Sequence, residues 1–261
     1  MKRITDNYYG EVMALNGRPM WSVTHNVTGR GRGGLCFTYE EAEEQMLRFV
    51  EADEHASFFL VIEGTEGAGK STLAASLERE LEGLNRVLRT EEPKAHFVAY
   101  EFIKRYLSGE MQASRFTMAM AYALNRADHL NTVVQPFLNE SNTVVICDRY
   151  VMSSLVYQSD EHSEFLDVAE LNREATPPDL TLLLNVEPTT LADRLRLRAN
   201  GKEIFDDQVE RLSFKYKRCA EWLTTRGHMI AEIDANSPAN YVLRDALFHV
   251  GRHAPLWVAV P

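Results

Sequence analysis

The chain is short of several features that define whole classes of protein. It has three cysteines in 261 residues, Cys36, Cys147 and Cys219. They are odd in number and far apart, which argues against a disulfide framework or zinc-type pairing and makes a reducing cytoplasm the expected setting. No apolar run reaches the length a membrane span requires. The opening residues, Met1-Lys2-Arg3-Ile4-Thr5-Asp6, lead into polar and aromatic residues rather than the apolar stretch of a secretory signal. Positive charge is also in deficit: 28 Lys and Arg stand against 38 Asp and Glu, a formal net charge of −10. That balance argues against a protein whose main task is coating nucleic acid, while a few local cations still suffice for a phosphate site. Hydrophobic residues at 45% and charged residues at 25% suit a soluble, cytoplasmic protein able to bury a substantial core.

Two regions read differently. Residues 1–56 begin with short aromatic and β-branched segments, Tyr8 to Leu15 and Met20 to His25, separated by the hairpin signal Asn16-Gly17. Gly29-Arg30-Gly31-Arg32-Gly33-Gly34 reads as a flexible loop, and its arginines as either a basic turn or a phosphate-backbone contact. Thr38 stands three residues before Glu41, a capping-box pattern that opens a helix to about Glu54 with Ala42, Met46, Phe49 and Val50 near one face. The result is a small ββα unit, too small to bury much alone and expected to pack on the rest of the chain or on another subunit. Residues 57–261 alternate apolar strands with longer helical stretches, which predicts a three-layer α/β/α domain around a five-stranded parallel sheet. The strands fall at Phe58–Glu63, Arg86–Arg89, Thr143–Cys147, Leu180–Val186 and Met229–Ile233, and the helices at about 69–83, 95–108, 114–138, 162–174, 189–198, 206–225 and 238–250.

Gly64-Thr65-Glu66-Gly67-Ala68-Gly69-Lys70-Ser71 fits the pattern G-x-x-x-x-G-K-[ST] and lies between a predicted strand and a predicted helix. That context makes it a P-loop. Its glycines let backbone N–H groups face phosphate oxygens, and the following helix N-terminus favours negative charge. Lys70 is then the group that reaches the β- and γ-phosphates, and Ser71 the one that holds Mg2+. The bland alternative is a glycine-rich turn that matches by chance. The apolar run Thr143 to Cys147 ends in Asp148, as a Walker B carboxylate does at the C-terminal edge of a parallel strand. Asp148 suits either magnesium binding through water or orientation of an acceptor phosphate. Taken alone it is as readily a helix cap.

Asp148-Arg149-Tyr150-Val151-Met152-Ser153-Ser154-Leu155-Val156-Tyr157-Gln158 resembles the D-R-[YFH]-x-x-S-x-x-A-Y-Q signature of thymidylate kinases. Gly64 to Thr72 is similar to the bacterial form of that family's P-loop, with Glu66 at its acidic position. Tyr122 to His129 resembles the F-x-A-x-R-x-x-H segment, and Pro178-Asp179-Leu180-Thr181 the P-D-[LV]-T segment. The resemblance covers about residues 57–235 and leaves the N-terminal unit aside. It implies a kinase that uses ATP and Mg2+ on a deoxypyrimidine monophosphate, with dTMP first, and a homodimer. It also implies roles. Arg149 holds the acceptor phosphate, Glu66 accepts from the deoxyribose 3′-hydroxyl, Tyr122 stacks on the pyrimidine and Arg126 donates to a base carbonyl. Ser153 and Gln158 line the base pocket, and Tyr157 crowds out a 2′-hydroxyl. Each aromatic taken alone reads as core packing, and Arg126 alone as a solvated helix residue.

Two departures stand out. The family's T-R-E-P appears as Thr90-Glu91-Glu92-Pro93, with a carboxylate in place of a phosphate-binding Arg unless Arg89 or Lys94 compensates. The lid reads Glu203-Ile204-Phe205-Asp206, and no basic residue lies among Thr65 to Ala68. The charge on the γ-phosphate then needs Arg194, Arg196, Arg198 or Lys202, of which Arg198 and Lys202 are the main candidates. Glu91 and the foreign N-terminal unit motivate a rival, a kinase acting on a modified thymidine nucleotide or on a modified base in DNA. A third reading is a non-catalytic nucleotide sensor.

Overall fold

The computed structural model describes residues 1–83, 85–198 and 206–260. The N-terminal unit forms an antiparallel sheet of β1 (Lys2–Arg3), β2 (Tyr8–Leu15), β3 (Arg18–His25) and β4 (Gly31–Leu35), in that spatial order, covered by α1 (Tyr39–Glu54). The expected β2–β3 hairpin turns at Asn16 and Gly17, both at positive φ, and Thr38 caps α1 by accepting from the Glu41 N–H at 3.1 Å. The glycine-rich segment is more than a loop. Residues 31–35 pair with β3 from Thr24 to Met20. Bare backbone is needed there, because a Cβ on Gly33 would lie 2.5 Å from the Trp21 carbonyl oxygen and one on Gly34 2.8 Å from Trp21 Nε1.

The second sheet is wholly parallel, ordered β6-β7-β5-β8-β9 from β5 (Phe58–Gly64), β6 (Arg86–Glu91), β7 (Thr143–Asp148), β8 (Leu180–Asn185) and β9 (Ile230–Asp234). The three central strands read as near-continuous apolar runs because helices cover both faces. The helices are α2 (Lys70–Glu82), α3 (Tyr100–Leu107), α4 (Arg115–His129), α5 (Gln135–Leu138), α6 (Val151–Tyr157), α7 (His162–Leu171), α8 (Pro188–Arg198), α9 (Asp206–Thr224) and α10 (Ala239–His253). The P-loop fold expected from the sequence is therefore present. Among the described residues, no helix is long and apolar enough to cross a membrane.

Three local differences from the sequence reading have physical causes. The stretch 114–138 is not one helix: a π turn at Leu130–Val134 separates α4 from α5, just ahead of Pro136. The helix expected from 95 starts only at Tyr100. Asn125 holds the preceding chain open by bonding Lys94 N–H at 2.7 Å and the Lys94 and Val98 carbonyls at 3.0 Å each. Finally, α6 had no local sequence signal; its cap arrives from another strand, as shown below.

The N-terminal unit packs on the rest of the chain through the segment that follows α10. Leu256 enters its core beside Tyr8, Trp21 and Val50. Buried Asp53 accepts from the Leu256 N–H (2.8 Å to Oδ2) and from the Tyr8 hydroxyl (2.6 Å). Arg30 does not face outward for a phosphate backbone. Its guanidinium donates to the carbonyls of Pro255 and Val258 at 2.7 Å, of Ala254 at 3.0 Å, and of Gly251. Arg32 donates to the Arg252 carbonyl at 3.0 Å. Arg30 thus acts as a C-terminal cap of α10 supplied from outside the helix. Arg30→Ala is expected to cost roughly 2–4 kcal/mol, since charged hydrogen bonds to several partly buried carbonyls are lost together. Thermal unfolding should show this as a fall in Tm of roughly 5–15 °C; an unchanged Tm would show that the clamp carries no stability.

Candidate active site

The site lies at the C-terminal edge of the parallel sheet. β5 ends at Gly64, whose φ of 141° and approach to β8 exclude any side chain: a Cβ would stand 2.7 Å from the Leu184 carbonyl oxygen. The chain then bends to Gly69, which opens α2. Lys70 is buried, and its ammonium donates to the Thr65 carbonyl at 2.7 Å across the bend. Burial pushes the Lys70 pKa down to about 8, and the Arg149 charge adds to this against the pull of Asp148, Glu63 and Glu66.

Asp148 stands beside the cradle because β7 pairs with β5, Ile62 opposite Asp148. Ser71 Oγ donates to Asp148 Oδ2 at 2.6 Å, and the other oxygen, Oδ1, is buried with no partner among the described residues. A hydroxyl and a carboxylate with an unsatisfied oxygen suit a hard cation that keeps several waters and takes the rest of its ligands from phosphate. The residues present therefore fit Mg2+.

Arg149, next in the chain, sits at φ 70°, a left-handed conformation that costs a non-glycine residue energy and is retained where surroundings enforce it. Its N–H donates to the Ile62 carbonyl at 2.9 Å, and its guanidinium reaches Ser153 Oγ at 3.4 Å and lies 5.7 Å from the Tyr157 ring centre. What holds this corner is Glu63, which the sequence reading did not single out. Its buried carboxylate accepts from the N–H groups of Tyr150 (2.7 Å) and Ser153 (3.0 Å) and from the Ser153 hydroxyl (2.6 Å). It thereby caps α6 from the neighbouring strand. Burial pushes the Glu63 carboxyl up, while the Ser153 hydrogen bonds and the Arg149 charge work against that rise. One signal was available: a carboxylate at the end of an otherwise apolar strand, directly before the P-loop glycine.

Three cavities flank these residues. One of about 350 Å3 is lined by Gly67, Gly69 and Thr72 and by Arg194, Ala235 and Val242. Arg194 donates to the Ala235 carbonyl at 2.8 Å. A second, of about 420 Å3, brings together Glu66, Tyr122, Arg126, Arg149, Ser153, Tyr157 and Gln158, every residue expected to face the acceptor. Tyr106, Leu107, Arg115 and Met118 also line it and were not foreseen. A third, of about 360 Å3, joins Ser71, Asp148 and Arg149 to Glu91 and Lys104. Gln158 Oε1 is buried without a partner among the described residues. Arg126 is not a solvated helix residue; it is almost wholly buried.

The Glu91 carboxylate pairs with Lys94 at 3.7 Å, whereas Arg89 is taken by Glu78 at 2.5 Å. Of the two compensating cations expected, Lys94 is the one that meets Glu91. The side chains of Arg196 and Arg198, the whole of Lys202, and Glu203 to Phe205 of the lid run lie outside the described residues.

Fold and cradle together define the class, a P-loop phosphotransferase acting at the edge of a parallel sheet. Residues 62–246 match the family model described as thymidylate kinase, and the chain belongs to that family. It is 35% identical over 196 residues to a protein of Staphylothermus marinus named probable thymidylate kinase, covering 74% of this chain and 94% of that one. It is 41% identical over 194 residues to the thymidylate kinase of Leifsonia xyli (70% of this chain, 90% of that protein). To the thymidylate kinase of Leptospira interrogans it is 30% identical over 193 residues, covering 72% and 91%. The matched region is the parallel-sheet part; family membership makes the chain a phosphotransferase acting on a nucleotide.

Proposed function

We propose that the chain transfers the γ-phosphoryl group of ATP to the 5′-phosphate of a deoxypyrimidine monophosphate, with dTMP as the acceptor. In this reading residues 57–261 are the kinase domain and residues 1–56 a unit fastened to its far end. The observation that carries it is the place of Arg149, which lines both the pocket holding the expected acceptor residues and the cavity holding Ser71 and Asp148. Donor and acceptor phosphates can meet only at such a junction.

The chemistry asks for alignment and charge neutralisation more than for a covalent nucleophile. An oxygen of the acceptor phosphate forms the new bond to phosphorus, and the bond to the bridging oxygen breaks with its electron pair leaving on ADP. Backbone N–H groups of 64–71 bind the donor phosphates, and Lys70 leaves the Thr65 carbonyl for the transferring group. Arg149 neutralises the acceptor phosphate and sets its line of approach. Ser71 and Asp148 are the residues that would hold Mg2+, which supplies charge neutralisation on the donor phosphates when bound. Glu66, Tyr122, Arg126, Ser153, Tyr157 and Gln158 bind and orient the nucleoside. Arg194 has the donor-side position from which to bind ATP.

A panel assay tests this. With labelled ATP, dTMP is expected to be turned over with kcat/KM roughly tenfold above 5-hydroxymethyl-dUMP, the modest discrimination that an added hydroxyl commonly produces. DNA oligonucleotides should take up no label. An inert dTMP beside a labelled oligonucleotide would favour the rival DNA reading, and ATP binding without turnover of any acceptor the sensor reading. The sealed position of Arg30 removes one of the two cations that motivated a DNA contact.

A further inference from the structure

At the wall of the second cavity lies a buried chain of polar groups of which the mechanism above uses only Arg126. Glu92 follows Glu91 at the end of β6, and its side chain is 3% exposed. One carboxylate oxygen, Oε2, accepts from Arg126 Nε–H at 2.7 Å; the other, Oε1, meets His129 Nδ1 at 3.2 Å. His129 Nε2 in turn meets Thr90 Oγ1 at 2.8 Å, and the ring, wholly buried, packs edge-on to Phe97. A carboxylate only accepts, so Nδ1 carries a proton and donates to Glu92, while Nε2 and the Thr90 hydroxyl share the bond at 2.8 Å.

The row ends at a guanidinium in the pocket wall. Arg126 Nη2 donates to Ser154 Oγ at 3.2 Å and Nη1 to Asn172 Oδ1, while the plane lies 5.2 Å from the Tyr150 ring centre. Three of its five N–H groups are therefore committed to protein acceptors on three different elements. Among the described contacts, one N–H on Nη1 and one on Nη2 remain, and Arg126 lines the second cavity. A guanidinium on a four-carbon stem would otherwise sample many orientations, and fixing its plane is what converts a charge into a directional donor.

We infer that Glu92 and His129 are positioning residues: His129 orients the Glu92 carboxylate, and Glu92 fixes the Arg126 guanidinium that faces the acceptor nucleoside. The inference rests on reading the second cavity as the acceptor pocket. It assigns a task to the histidine that closes the Tyr122 to His129 segment. Removing the His129 donor frees one end of the carboxylate, so the Arg126 plane loosens while the phosphate-transfer machinery at Lys70 and Asp148 stays in place. The loss should appear as weaker binding of the acceptor in ground and transition states alike.

The test compares His129→Phe, which keeps a ring against Phe97 but has no donor, with His129→Asn, whose amide restores a donor near Nδ1. For His129→Phe the acceptor KM is expected to rise roughly tenfold, with kcat and the ATP KM each within about twofold of wild type. His129→Asn should recover most of that loss. Independently of turnover, the Arg126 Nε–H resonance, identified by its disappearance in Arg126→Lys, should exchange with water faster in His129→Phe and return toward wild type in His129→Asn. Thr90→Val, which removes the hydroxyl that holds Nε2 and with it the ring orientation, is the second variant should His129→Phe not fold, with the same direction in both readouts. An unchanged Nε–H exchange in the donorless variant, equal acceptor KM in the two His129 variants, or parallel rises in acceptor and ATP KM would each overturn the proposal. A wild-type chain inert toward every pyrimidine monophosphate would instead sink the functional reading, and the Nε–H exchange would still decide this one.

Discussion

Replacing Lys70 with alanine is expected to lower turnover by at least about a hundredfold, because on the proposed function the substitution removes the charge aimed at the transferring phosphoryl group. The ammonium rests on the Thr65 carbonyl, 2.7 Å away, so it is already inside the cradle and needs only to change partner. Its lowered pKa adds a pH signature. The unbound site carries the Lys70 charge below about 8 and loses it as pH rises through that value. Bound phosphates favour the charged form and move the transition upward. Steady-state profiles should therefore show kcat/KM for ATP falling above pH 8 while kcat holds to higher pH. Near-wild-type turnover in Lys70→Ala would remove this residue from the mechanism.

The second large effect is expected at Arg149. Arg149→Ala should reduce kcat/KM for the acceptor by roughly a thousandfold, about 4 kcal/mol, since a charge-assisted and directional contact to phosphate is lost where little water can replace it. Arg149→Lys should recover only part, because an ammonium keeps the charge but cannot present two parallel donors to one phosphate. The left-handed backbone at φ 70° does not confound the comparison, as alanine and lysine are no better suited to it than arginine. Both variants should retain the affinity for ATP alone, which calorimetry can measure. A parallel loss of ATP binding would show that Arg149 supports the cradle rather than the acceptor.

The parts of this site that a sequence displays are those whose function is local. Gly64 to Ser71 must be contiguous for its amides to surround a phosphate, and Asp148-Arg149 must close a strand to reach the sheet edge. Both stand in the chain as short runs. The alternation of apolar strands with helices carried the five-stranded sheet for the same reason. What escaped depends on partners far apart in the chain. Glu63 caps a helix that begins 88 residues later, at Val151, so neither the cap nor α6 had a local sign. Glu92 meets Arg126 and His129 across 34 and 37 positions. β4 was read as a flexible segment because its glycines signal freedom; in the sheet they serve the opposite end, letting backbone pass close over Trp21. Arg30 looked available to a phosphate because its carbonyl partners lie more than 220 residues away.

The fastening of Arg30 and Asp53 to residues 251–258 also bears on how the molecule is made. The antiparallel sheet is synthesised before any of the phosphate cradle, yet the amide that satisfies the Asp53 carboxylate belongs to Leu256. Until that segment leaves the ribosome, the antiparallel sheet lacks the Leu256 side chain and amide that complete its core. Emergence of residues 251–258 is thus the moment at which this sheet becomes secure, and a ribosome stalled before Gly251 should hold an antiparallel sheet that proteases still open.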